Sequence, residues 1–228
     1  MTLSDRDTEI FTRDGALRLA SALNAASLGE LAHALDDIPL HHAGTRLHGV
    51  AALDPFLATS GPVGAVAAAA IGAAARPVRA LLFDKTASAN WSVPWHQDRT
   101  IPVVERVEVA GFGPWTMKSG LLHVAPPFTV LAKMVTLRVH LDAVPETNAP
   151  LLIAPGSHRL GQIRERDVKD VVQRCGTAVC EAEPGDIWLY STPILHASEV
   201  ARAPRHRRVL QVDFAADDLP GGLTWLGV

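Results

Sequence analysis

Residues 134–142 read MVTLRVHLD, in which apolar and polar side chains alternate from Val135 onward. Val135, Leu137, Val139 and Leu141 share one parity; Thr136, Arg138, His140 and Asp142 share the other. Successive side chains of an extended chain point to opposite faces, so this spacing predicts a strand with one face in a core and one polar face. Residues 207–214, RRVLQVDF, repeat the pattern. Arg207, Val209, Gln211 and Asp213 make the more polar face, and Arg208, Leu210, Val212 and Phe214 the more apolar one. Further strands are expected at 78–83, 91–98, 178–182 and 187–190, punctuated by turns at 145–150, Pro155-Gly156 and Pro184-Gly185-Asp186.

Upstream the texture is helical. Leu17, Leu19, Leu23, Leu28, Leu31 and Leu35 follow Asp14-Gly15 and suggest one or two amphipathic helices, and an alanine-rich helix opens at Gly61-Pro62 and ends near Arg76-Pro77. A short helix is expected over 164–174. Helices first and strands later predict an α+β chain, mainly β beyond residue 77, read as one domain over 1–228 with 1–77 a mainly helical buttress. The mixed segment 101–134, with Trp115 and Lys118, reads as a lid or insert over a cavity mouth, or more plainly as a buttress.

Composition narrows the function. A chain of 228 residues, 48% hydrophobic and 20% charged, can bury one sizeable core. A formal charge of -3 provides no basic face for nucleic acid. The polar start MTLSDRDTEIF does not read as a signal peptide, and residues 63–75 are too short and too weakly apolar to span a bilayer. Cys175 and Cys180 read as reduced thiols, too few for a structural zinc cluster, and a cytoplasmic location with no membrane partner is expected.

The chemistry sits at Trp95-His96-Gln97-Asp98. On a strand, His96 and Asp98 share a face, two-thirds of a two-histidine, one-carboxylate triad, while Gln97 faces away unless the strand bends. Alone, a His-x-Asp is weak. Residues 184–215, PGDIWLYSTPILHASEVARAPRHRRVLQVDFA, add a second histidine, His196, followed by Arg207 and Arg208. A loop joining an antiparallel pair would bring His196 and one arginine into one cavity. The polar face carrying Arg207 should line that cavity, with Thr136 and Arg138 beside it, and Ser198 shares the parity of His196.

With these residues in place, the chain resembles the phytanoyl-CoA dioxygenase family of Fe(II)/2-oxoglutarate oxygenases. The resemblance runs from about Lys85 to the C-terminus, through WHQD at 95–98, NAPLLIAPGSHRLG at 148–161, and 196–214. It implies a double-stranded β-helix, a cupin-like jelly-roll barrel buttressed by the N-terminal helices. It implies that His96, Asp98 and His196 ligate Fe(II), and that Arg207, assisted by Ser198, binds the distal carboxylate of 2-oxoglutarate. The implied reaction consumes O2 and 2-oxoglutarate, releases succinate and CO2, and hydroxylates a C–H bond of a small molecule. Asp98 favours hydroxylation, since halogenating relatives lack this carboxylate. Gln97 and Thr136 are further co-substrate candidates, and Arg138 stands where many relatives carry an aromatic residue. Lys85, Asn90 and Trp115 are candidate substrate contacts. The competing readings are a metal-dependent hydrolase or isomerase on a cupin-like barrel, and a non-catalytic small-molecule-binding barrel. His41, His42 and His48 read as a solvated loop, His158 as a turn residue, His140 as a substitute ligand, and Trp91, Trp95 and Trp188 as packing.

Overall fold

A computed structural model of the chain describes residues 2–39 and 44–228; the paired histidines His41 and His42 lie outside the described residues. The N-terminal part contains α1 (Asp5–Asp14), β1 (Ala16–Leu19), α2 (Ala25–Leu35), β2 (Gly44–Leu47), α3 (Asp54–Leu57) and α4 (Gly64–Ile71). Strands β3 (Arg76–Lys85), β4 (Val93–His96), β5 (Ile101–Pro102), β6 (Trp115–Lys118) and β7 (Leu121–Val124) follow, then α5 (Phe128–Leu131), β8 (Val135–His140) and β9 (Leu151–Ile153). The chain ends with α6 (Val168–Cys175), β10 (Ala178–Cys180), β11 (Ile187–Ser191), β12 (His196–Ser198) and β13 (Arg207–Ala215).

Among the described residues, a six-stranded antiparallel sheet runs β1-β11-β8-β13-β3-β2, and a four-stranded one runs β10-β9-β12-β4. These are the two facing sheets of a jelly roll, not hydrogen-bonded into a closed barrel. The parity read from sequence decides which face of the larger sheet goes where. Leu137 and Val139 of β8, Leu210, Val212 and Phe214 of β13, and Ile187 and Leu189 of β11 are buried against Leu31, Leu35, Leu53, Leu57 and Val66 of the helical layer. The opposite face, polar in sequence, turns toward the smaller sheet. There Leu151 and Ile153 meet Tyr190 and Ile194, while the outer side of the smaller sheet is covered by Val171 of α6 with Ile163 and Leu195.

The N-terminal expectation needs correction. The first helix lies before Gly15, not after it. Ser4 and Asp7 close a capping box at its start, and Gly15, at φ 75, ends it in the left-handed region. Leu17 and Leu19 then belong to β1 and pair with Leu189 and Ile187. Their spacing of two, with exposed Arg18 between them, is a strand period. Residues 1–77 thus supply both edge strands of the larger sheet, β1 and β2, as well as a helical layer.

Segment 101–134 is a small third sheet, β5-β7-β6, whose Ile101, Val103 and Val124 bury against Val78, Met134, Ala215 and Leu219. Its β6–β7 hairpin reaches the cavity, where Lys118 lines the wall. Among the described residues no helix is long and apolar enough to cross a membrane.

Candidate metal and co-substrate site

A cavity of about 310 Å³ opens between the two large sheets. Its metal-ligating candidates come from the smaller one. His196 of β12 is the Cα partner of His96 of β4. Directly opposite residues of an antiparallel pair share a face, so the imidazoles meet with ring centroids 4.3 Å apart. Each Nδ1 donates to the carbonyl two residues back, His96 to Pro94 at 2.8 Å and His196 to Ile194 at 2.9 Å. A carbonyl can only accept, so the proton sits on Nδ1 and a ring without a second proton keeps its Nε2 lone pair for a ligand, which is how second partners orient metal-binding histidines. Burial, then the neighbouring His96, pushes His196 down to about 4, so it is neutral near pH 7.

Asp98 follows just past the end of β4 and lines the same cavity. Its Oδ2 accepts from Arg79 Nη2 at 2.8 Å, and Arg79 Nε lies 2.5 Å from Asp213 Oδ2. Burial alone would raise the Asp98 carboxyl; the Arg79 guanidinium outweighs it and holds the group well below the usual carboxylate range. Among the described residues no three His, Cys, Asp or Glu side chains are already arranged as a finished metal site. The carboxylate is turned onto Arg79. The donor chemistry nonetheless suits a ferrous ion: two imidazoles, each held through Nδ1, and one ionised carboxylate on a shared cavity wall.

The larger sheet supplies the facing wall. Arg79, Leu81, Phe83 and Lys85 of β3 alternate inward, as do Arg207 and Gln211 of β13, Arg138 of β8 and Arg46 of β2. Arg207 is the direct cross-strand partner of Lys85, so two like charges stand opposite one another, an arrangement that is unfavourable until an anion joins them. Arg207 Nη1 donates to the Ala149 carbonyl, while its buried Nε has no partner. Burial, then Arg138, lowers this guanidinium to about 9, and burial with Arg207 and Arg138 lowers Lys85 to about 8. Lys85 Nζ donates to the Glu199 carbonyl at 2.6 Å and to Ser198 Oγ at 3.2 Å. Arg138 donates to Gln211 Oε1 at 2.8 Å. Arg208, on the other parity, faces outward and donates to Asp142.

Several sequence candidates lie elsewhere. Gln97 points away from the cavity: its amide donates to the Gly161 and Pro193 carbonyls and accepts from Ile163 N, fastening two loops behind the histidine strands. Thr136 is spent between Asp213 and Thr192. Asn90 makes two hydrogen bonds to the Ala201 backbone, holding the β12–β13 loop. Trp115, at the start of β6, is partly buried against the core of the third sheet with the Arg106 guanidinium over its ring. His196 and Arg207 are not on paired strands, as the loop reading suggested. Their strands belong to different sheets, so they face each other across the interior. His140 is buried with neither ring nitrogen partnered, and it does not line this cavity.

Sequence reading missed Arg79 and Arg46. Arg79, Leu81, Phe83 and Lys85 share one parity, and a cation at each end of an otherwise apolar strand face was the available signal. Trp91, read as packing, lines the cavity with Lys85 Nζ 5.1 Å from its ring centroid.

Solved structures share this architecture. EctD from S. alaskensis in its apoform superposes with a TM-score of 0.68 at 18% identity, covering 99% of this chain and 81% of its own. The non-heme alpha ketoglutarate dependent carbocyclase SnoK, from nogalamycin biosynthesis, gives 0.68 at 15% identity, covering 99% and 88%. HygX from Streptomyces hygroscopicus, with nickel and 2-oxoglutarate bound, gives 0.64 at 14% identity, covering 94% and 87%. No curated protein sequence matches. A profile of the phytanoyl-CoA dioxygenase (PhyH) family matches residues 11–209, a span that includes the two histidines, Asp98 and Arg207, and the chain belongs to that family.

Proposed function

We propose that this protein is an Fe(II)- and 2-oxoglutarate-dependent oxygenase that hydroxylates a C–H bond of a small molecule. The observation that carries the reading is the His96–His196 cross-strand pair, each ring tied through Nδ1 to the backbone, in a cavity that also holds Asp98 and Arg207. The 2-oxoglutarate bound to HygX, and the 2-oxoglutarate and 5-hydroxyectoine in EctD from S. alaskensis, support the same co-substrate here.

His96, His196 and Asp98 would hold the metal. Arg79 keeps Asp98 ionised and fixes its direction. Arg207 would grip the far carboxylate of 2-oxoglutarate, because a planar guanidinium makes two parallel charge-assisted hydrogen bonds to it. Arg138 and Lys85 add positive charge beside it. Leu81, Phe83, Trp91 and Leu151 supply apolar wall that keeps water from the reacting centre. When bound, the metal with O2 and 2-oxoglutarate would supply the oxidation, with succinate and CO2 as co-products. Hydroxylation is preferred over halogenation because Asp98 would take the third ligand position.

Protein purified without oxygen, loaded with Fe(II) and 2-oxoglutarate and then exposed to air, should release succinate, faster with a substrate from a metabolite panel. Stoichiometric iron uptake with no succinate across such a panel would overturn the proposal and favour a binding barrel or a hydrolase.

A further inference from the structure

Six cationic side chains line the cavity and one carboxylate does. Under the reading above, a dianionic keto acid answers only part of this excess. Arg79 is matched by Asp98 and Asp213. Arg207, with Arg138 and Lys85 beside it, is matched by the co-substrate. Arg46 and Lys118 are not matched. Among the described residues neither has a carboxylate within ion-pair distance, and residues 40–43 include no acidic side chain.

Their placement is built by two elements that meet over the Asp98 side. Arg46 lies on edge strand β2 opposite Leu81, another wall residue. Lys118 ends β6, and the next residue, Ser119, turns the hairpin with φ 50 before Gly120 at φ 77. Ser119 Oγ accepts from Arg46 Nη1 at 3.2 Å, which docks the hairpin tip on β2. Lys118 Nζ donates to Thr100 Oγ1 at 2.7 Å, and Arg46 Nε is buried without a partner. Both groups are held below their ordinary values, by burial first and then by Arg79, so an anion beside them relieves an existing electrostatic cost.

We infer that the organic substrate carries an anionic oxoacid group, a carboxylate or a phosphate, which Arg46 and Lys118 bind beside the metal position. This rests on the proposed function. The hairpin of segment 101–134 therefore takes part in substrate selection through Lys118, not through Trp115.

The test uses the full chain loaded anaerobically with Mn(II) and saturating 2-oxoglutarate. Inorganic phosphate and acetate are titrated in separately, and paramagnetic relaxation of their 31P and 1H signals is read. Saturable relaxation without release of 2-oxoglutarate is expected for at least one of the two, and which one identifies the group. The Arg46→Gln/Lys118→Gln double variant should weaken that binding by about tenfold or more. It should retain Mn(II) and 2-oxoglutarate, which also reports that it is folded. Lys169→Gln, on the exposed face of α6, should match the wild type. Absence of saturable relaxation by either anion, or equal affinity in the double variant, overturns the inference and leaves the oxygenase reading intact. Failure of the wild type to take up Mn(II) and 2-oxoglutarate overturns both.

Discussion

Replacing Arg79 with methionine removes a single cation from between two carboxylates. The wild-type contacts are 2.8 Å to Asp98 and 2.5 Å to Asp213, with side chains 7% exposed for Arg79, 19% for Asp98 and 2% for Asp213. Arg79 and Asp213 are direct cross-strand partners on β3 and β13, and both side chains are buried on the sheet's inner face. Removing one member of a buried pair costs about 3–5 kcal/mol, because the surviving charge stays desolvated. Two acids depend on this guanidinium, so the upper part of that range is expected in the metal-free protein. Urea denaturation of wild type, Arg79→Met, Asp213→Asn and the double variant measures it. Adding Asp213→Asn to Arg79→Met should recover at least about 1 kcal/mol, since it removes one orphaned charge. The sign of the pH dependence follows from Asp213, whose carboxyl burial already raises above its ordinary value. A carboxyl raised on folding binds protons more tightly in the native state. Its penalty is therefore present at neutral pH and is lost as pH falls through the raised value. Arg79→Met should thus lose least stability in mildly acidic buffer. A loss below about 1 kcal/mol, the range of an exposed ion pair, or a double variant no more stable than Arg79→Met, would refute the buried bridge.

Arg207→Met should weaken 2-oxoglutarate binding on the order of a hundredfold or more while metal affinity stays unchanged, by calorimetry with Mn(II) in place of iron. Lys85 supplies a pH signature: its amine is pushed down to about 8, and a dianion beside it raises it again. Binding should therefore take up a proton above that pH, with affinity falling about tenfold by roughly pH 9. Lys85→Met should flatten this part of the profile, and an unchanged profile would remove Lys85 from the anion cluster. Gln97→Leu leaves the Ile163 amide and the Gly161 and Pro193 carbonyls without their partner, and should cost about 2–3 kcal/mol in denaturant unfolding; a loss within experimental error would contradict its clamping role.

The sequence by itself determined the two faces of each main strand. At 134–142 and 207–214 the alternation alone separates Leu137, Val139, Leu210 and Val212, which meet the helices, from Arg138, Gln211 and Arg207, which line the cavity. Side-chain parity is local geometry, so no tertiary information is needed to read it. The same rule placed Gln97 on the far side from His96. It was also available at Leu17, Arg18 and Leu19, where apolar content was read as helical and Gly15 had already ended the helix. Tertiary structure decided what pairs across space. That His196 stands opposite His96, that Arg207 stands opposite Lys85, and that Arg79 sits between Asp98 and Asp213 are facts of register between strands far apart in the chain. Register depends on which strands become neighbours, and that is set by burial of the whole apolar face and not by any one segment. For the same reason Arg46 and Lys118, 72 residues apart in number, become one site only when the third sheet docks its hairpin against the edge of the first.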